Sequence, residues 1–146
     1  MKLLILNGPN MQLLGQRNPA IYGTQTLQQL NERLRAYAKE QGIETEFLQT
    51  NHEGVALDAL ALQNFDGVVL NAAAWTHTSV ALRDCIEAIV PPVVEVHLSD
   101  LSAREDFRKT SMIRDVVAAC FMGEGENSYR KAINWLKNAL NDLSVR

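Results

Sequence analysis

The chain has 146 residues, 47% of them hydrophobic and 21% charged, and a formal net charge of -3 at pH 7. One domain of that length can bury a sizeable core. The acidic balance leaves no basic footprint, so nucleic acid is not an expected partner. The opening run Met1-Lys2-Leu3-Leu4-Ile5-Leu6 turns polar at Asn7-Gly8-Pro9-Asn10, too early for a signal peptide. No apolar run approaches a membrane span, so a cytoplasmic protein without a membrane partner is expected. Cys85 and Cys120 sit in apolar surroundings without CxxC spacing, which reads as two reduced, buried thiols. Three histidines without a helical i,i+4 pair make a poor zinc set.

Leu3 to Leu6 reads as a first strand buried on both faces, broken by Gly8 and Pro9. From Asn10 to Gly23 no helical or strand period is visible. Gly15, Pro19 and Gly23 punctuate a long polar segment that carries Arg17 and Tyr22, and a loop of this length suggests a functional lid. Leu27, Leu30, Leu34 and Tyr37 recur at helical spacing, with Thr24 or Thr26 as cap and Gly42 as stop. Ile43 to Leu48 alternates apolar residues with Glu44 and Glu46, as a half-exposed strand does. Asn51-His52-Glu53-Gly54 turns into a short helix through Leu57, Leu60 and Ala61.

Val68-Val69-Leu70 forms a central buried strand that breaks at Asn71. Thr78 or Ser79 then caps a helix carrying Val80, Leu82, Cys85 and Ile86. Val90 to Val96 reads as another buried strand, entered through Pro91-Pro92 and ending at Glu95-Val96-His97. Leu98 to Lys109 is polar, with Arg104 and Arg108 one turn apart if that stretch is helical. Val116 to Met122 is the last apolar strand, and Ile133, Leu136, Leu140 and Leu143 mark the closing helix. Strands alternating with helices at this spacing imply parallel βαβ units. The expected fold is α/β, a flavodoxin-like doubly wound sheet of five strands in order 2-1-3-4-5, forming a single domain over residues 1–146.

Right-handed crossovers put every strand's carboxyl end on one rim, where such sheets bind ligands. Asn10, Arg17 and Tyr22 follow the first strand, Asn71 and His77 the third, and Glu95, His97, Arg104 and Arg108 the fourth. Three arginines favour an anionic substrate such as a carboxylate. A cation beside a tyrosine favours phenolate, which makes Tyr22 a candidate base. Each residue taken alone has an ordinary structural explanation, and His52 and Asp84 read as structural and solvated. Convergence on one rim raises the others together. A nucleotide or flavin binder would place a phosphate loop after the first strand, but Pro9 removes a donor there and no Walker lysine follows. A purely structural interaction module gives no reason for titratable groups to gather. A Schiff-base enzyme needs a buried lysine. Of Lys2, Lys39, Lys109, Lys131 and Lys137, only Lys109 lies near the rim, beside Arg108.

The chain closely resembles the type II 3-dehydroquinate dehydratases. The resemblance rests on Asn7-Gly8-Pro9-Asn10 with Leu13-Leu14-Gly15, Arg17, Pro19, Tyr22 and Gly23. It continues through Gln49 to Gly54, through Asn71 with Thr76 to Asp84, and through Glu95 to Ser99 with Ala103-Arg104-Glu105 and Phe107-Arg108. It implies a lyase that converts 3-dehydroquinate to 3-dehydroshikimate through an enolate, without metal or cofactor, in aromatic biosynthesis or quinate breakdown. A diverged relative that binds the same ligand with little turnover is the alternative.

By the same resemblance, Tyr22 is the base, activated by Arg17, and Asn10 holds a water at the enolate oxygen. His97, held by Glu95, is the acid and with Asn71 binds substrate hydroxyls. His77 and the backbone at Leu98 and Ser99 bind the carboxylate or nearby hydroxyls. Arg108 grips a ring hydroxyl and Arg104 closes with the lid. Asp84 reaches into a neighbouring subunit's site within a homododecamer, a tetramer of trimers. The chain departs from the family's usual residues at Asn18, Ala72 to Trp75, Asp100, Met112 and Ser128.

Overall fold

The computed structural model describes residues 1–145; Arg146, at the end of the expected domain span, lies outside the described residues. The strands are β1 (Lys2–Asn7), β2 (Glu44–Gln49), β3 (Gly67–Asn71), β4 (Val93–His97) and β5 (Ala119–Met122). They form one parallel sheet in the order β2-β1-β3-β4-β5. The helices are α1 (Pro19–Tyr22), α2 (Leu27–Glu40), α3 (Glu53–Ala61), α4 (Val80–Ala88) and α5 (Glu126–Val145).

The sheet is buried on both faces because alternate residues of each central strand serve different layers. Leu3, Ile5, Val69, Val94 and Val96 pack with Leu30 and Leu34 of α2 and Ile133 and Leu136 of α5. Leu4, Leu6, Val68, Leu70 and Val93 pack with Leu60 of α3 and Leu82 and Ile86 of α4. Thr26 rather than Thr24 caps α2, in a capping box in which its side chain accepts from the Gln29 N–H and Gln29 accepts from the Thr26 N–H. Ser79 caps α4 by accepting from the Leu82 N–H at 2.8 Å.

Several expected boundaries shift. The fourth strand begins at Val93 and not at Val90, which is 88% exposed, because Pro91 and Pro92 bring no N–H to the ladder. The fifth begins at Ala119: Val116 and Val117 close a turn onto the Ile113 carbonyl instead of pairing with β4. The first long loop has local structure, a 3-10 turn at Met11–Leu13 and the single turn of α1, capped by Asn18 and entered through Pro19. Arg104 and Arg108 do not share a helix: Arg104 is extended between 3-10 turns at Leu101–Ala103 and Asp106–Arg108. Val80 faces solvent at the start of α4. Cys85 and Cys120 are unpaired and half-buried, less buried than expected.

Two backbone features shape the rim between β1 and β3. A side chain at Gly8 would meet the Ala72 carbonyl oxygen at 2.6 Å, so only glycine allows the two loops to approach there. Ala73 holds φ at +51°, in the left-handed region, with its N–H donating to Asn71 Oδ1 at 3.1 Å. An L side chain in that region costs ~1–2 kcal/mol. Glycine would release the strain but lose ~0.4–1 kcal/mol through greater freedom of the unfolded chain. Ala73→Gly is therefore expected to stabilise the protein by ~0.5–1 kcal/mol, read as a thermal midpoint higher by about 1–4 °C. A lowered midpoint would contradict strain at Ala73.

Candidate active site

The loops leaving β1, β3 and β4 enclose a cavity of about 130 Å³ at the point where the strand order reverses. Asn10, Arg17 and Tyr22 line it from the first loop, Asn71 and His77 from the third strand's end, and His97, Leu98, Ser99, Arg104 and Arg108 from the fourth's. Glu95 stands behind His97 and is fully buried. Of the residues singled out in the sequence, Asp84 alone lies apart, exposed on α4 and outside the cavity lining.

Asn10 adopts φ +69°, which asparagine tolerates better than most residues, and its N–H donates to Asn51 Oδ1 at 3.0 Å. Gln49 Nε2 donates to the Gly8 carbonyl and to Asn51 Oδ1, both at 3.1 Å. The Gln49-to-Gly54 motif thus holds the first loop from behind. At its far end, Glu53 Oε1 accepts from the Ser79 hydroxyl at the start of α4. The paired strand ends Asn7 and Asn71 are joined through Tyr129 of α5. Its hydroxyl donates to Asn7 Oδ1 at 2.6 Å and accepts from Asn71 Nδ2 at 2.9 Å. Tyr129 is fully buried, and desolvation pushes its phenol well above the ordinary tyrosine value, which keeps it neutral.

Tyr22 lies between two guanidinium groups. Arg17 sits over the ring, 4.4 Å from its centroid, while Arg104 Nη1 donates to the phenolic oxygen at 3.0 Å and to Ser99 Oγ at 3.2 Å. The cation in contact with the hydroxyl is thus Arg104, with Arg17 stacked on the ring face. Arg104 Nε is buried and has no hydrogen-bond partner among the described residues. Arg108 pairs with Glu105. No carboxylate and no lysine lines the cavity among the described residues, so three arginines set its field and favour an anion. Lys109 pairs with Asp106 outside it.

Behind the cavity, His97 Nε2 lies 2.5 Å from Glu95 Oε2. An ionised carboxylate only accepts, so Nε2 carries the hydrogen and Nδ1 is left for a ligand. His77 Nδ1 lies 2.7 Å from the Thr110 carbonyl, which sets its tautomer in the same way. Burial pushes the Glu95 carboxyl up, but His97 and Arg114 more than reverse this and hold it at about 2. Arg114 Nε and Nη2 each donate to Glu95 at 2.9 Å. Arg114, Tyr129, Asn7 and Asn51 were not among the site residues read from sequence. Nothing distinguishes Arg114 from a surface arginine, or Tyr129 from any core residue of an amphipathic helix. Among the described residues no three His, Cys, Asp or Glu side chains gather as a metal-holding group.

A doubly wound sheet whose switch-point cavity holds an arginine-flanked tyrosine and a carboxylate-held histidine defines the class, an α/β enzyme with acid–base groups in a site that favours a small anion. The chain belongs to the class II dehydroquinase family, whose model matches residues 1–137. A 3-dehydroquinate dehydratase of Bacillus licheniformis is 49% identical over 143 residues, covering 95% of this chain and 97% of the relative. One from a Synechococcus species is 46% identical, covering 99% of this chain and all of the relative. The crystal structure of a type II dehydroquinase from Butyrivibrio crossotus superposes with a TM-score of 0.91 at 37% identity, covering 94% of this chain and 97% of that one.

The Glu95 environment has a pH signature. Its folded carboxyl, at about 2, lies below the ordinary value of 4.5, so it contributes stability above about 4.5 that is lost as pH falls toward 2. The contribution is on the order of 3 kcal/mol. Urea unfolding between pH 5 and 2 should show a steep loss of stability in the parent protein and a shallower one in Glu95→Gln. Equal slopes would contradict an ionised Glu95.

Proposed function

We propose that this chain dehydrates 3-dehydroquinate to 3-dehydroshikimate and water through an enolate. It does so in the cytoplasm, as a single catalytic domain spanning residues 1–146, and with its own side chains. The observation that carries this reading is one cavity holding Tyr22, with the Arg104 guanidinium at its hydroxyl, together with the Glu95-held His97. Tyr22, the base between two cations, removes the proton beside the substrate ketone. The C–H electron pair becomes the enolate, whose oxygen is stabilised by a water on Asn10. His97 then protonates the departing hydroxyl. The C–O bond breaks, the enolate pair forms the ring double bond, and a proton returned from Tyr22 through solvent resets His97.

The substrate carboxylate lies against His77 and the backbone at Leu98 and Ser99, with Asn71 and Arg108 on the ring hydroxyls. Arg17 keeps the Tyr22 ring in place by stacking, a contact worth ~0.5–2 kcal/mol. Arg104 joins the lid to the β4 loop through Tyr22 and Ser99, so closing the lid and activating the base become one event. The unpartnered Arg104 Nε is a further buried donor beside an anionic ligand.

The product is a conjugated enone, so ultraviolet absorbance follows the reaction directly. The parent protein should generate that absorbance from 3-dehydroquinate, and Tyr22→Phe should lower turnover at least ~1,000-fold, about 4 kcal/mol of transition-state stabilisation. Near-parent turnover in that variant would remove Tyr22 as the base. The assembly is a homododecamer, a tetramer of trimers, in which Asp84 of one subunit completes a neighbour's cavity. Its exposure on α4, away from the cavity of its own chain, supports this. Light scattering should find a particle of at least a trimer, with Asp84→Ala impairing both assembly and activity. A fully active monomer would rule that out.

A further inference from the structure

Glu95 contacts more than its histidine. The segment between Lys109 and β5 turns so that Arg114 meets the Glu95 carboxylate, sharing Oε2 with His97. Ser111 Oγ accepts from the Ile113 and Arg114 N–H groups at 3.3 and 3.1 Å, which sets the turn. The Arg83 guanidinium of α4 fixes the turn to the helix through the Met112 carbonyl at 2.9 Å and through both Asp115 oxygens. Arg114 is thereby presented as a rigid fork, one nitrogen to each Glu95 oxygen. Glu95 is 0% exposed, whereas the Arg114 side chain is 40% exposed.

We propose that Arg114 is a positioning residue for His97, which balances the buried Glu95 charge and fixes the carboxylate plane, so that Glu95 orients the imidazole without trapping a proton on it. A buried carboxylate left with His97 as its sole cationic partner would hold the imidazolium tightly, because breaking such a pair strands an uncompensated charge. An acid that must release its proton in every turnover is poorly served by that. Arg114 supplies a permanent countercharge, since a guanidinium does not titrate in the working range. Its partly solvated position lowers its own desolvation cost.

The other groups around the pair do not replace it. Ser111 contributes only a hydroxyl, 3.3 and 3.4 Å from the Glu95 oxygens. Cys120, paired with Glu95 in the sheet register, is a neutral thiol pushed up to about 11 by burial and by the Glu95 charge. Arg83 and Asp115 on the α4 side neutralise each other. Arg17, Tyr22, His77, Arg104 and Arg108 stand around the ligand cavity, on the side of His97 where substrate binds.

The role rests on the proposed part of His97 in dehydration, but the coupling is measurable without substrate. In histidine-labelled, ligand-free protein, Arg114→Gln should raise the pH at which the His97 ring loses its proton by about one unit. The alkaline limb of the kcat/KM profile should move the same way, and kcat/KM near neutral pH should fall ~10–100-fold, the usual cost of losing an orienting partner. Arg114→Lys, which keeps the charge but loses the fork, should show a smaller shift. It also serves as the measurement where Arg114→Gln does not fold. An unmoved ring titration and an unmoved alkaline limb in whichever variant folds would overturn the proposal. A parent protein inert toward 3-dehydroquinate would overturn the dehydratase reading alone, because the ring titration does not involve it.

Discussion

A full carboxylate buried at the end of a central strand is the constraint around which this site is arranged. Glu95 shares its strand face with Val93 and lies beside Leu70 and Cys120, surroundings that offer an anion nothing. Leaving it charged there requires partners for both oxygens. Arg114 donates to both oxygens, and His97 Nε2 shares Oε2 with it. Because the pair is satisfied, the histidine ring is held in one orientation and one tautomer before any ligand arrives.

A second buried polar cluster does for β1 and β3 what Glu95 does for β4. Asn7 and Asn71 end neighbouring strands at the switch point, where the sheet leaves a crevice. Tyr129 reaches them from α5, so the helix that closes the chain is joined to the floor of the cavity. The neutral phenol can donate to one asparagine and accept from the other, an arrangement in which every member is satisfied. Above it, Gly8 lets the β1 loop pass the Ala72 carbonyl, and Ala73 accepts a strained backbone conformation. The site is rigid at its base for reasons of hydrogen bonding and close packing.

The loop after β1 is held mainly through charge. Arg17 and Tyr22 belong to a segment with few buried residues, held largely by a stacked cation and by Arg104 from the opposite loop. Such contacts are individually weak, so this segment is tied to the rest of the site less firmly than core packing would tie it. Two of the guanidinium groups that favour an anion in the cavity, those of Arg17 and Arg104, also contact Tyr22.

The sheet order, the three buried central strands and the amphipathic helices were legible in the sequence because hydrophobic period and turn residues are local properties, set by which side chains must leave water. The rim residues were legible as a group for a related reason: a parallel sheet sends every carboxyl end to one edge, so Asn10, Tyr22, Asn71, His77 and His97 had to lie near one another. Strand starts at Val93 and Ala119 were not, because an apolar run does not reveal where prolines or a turn onto Ile113 deny it a partner. Nor was it visible that Arg104, and not Arg17, touches the Tyr22 hydroxyl, that Arg114 balances Glu95, or that Tyr129 links two strands. Those contacts join residues far apart in the chain, and an isolated arginine or a helical tyrosine has the same local pattern whether it faces solvent, core or a buried charge. Only the folded arrangement decides which, because burial and partner geometry set the energy of a polar group and neither is written in its neighbours along the chain.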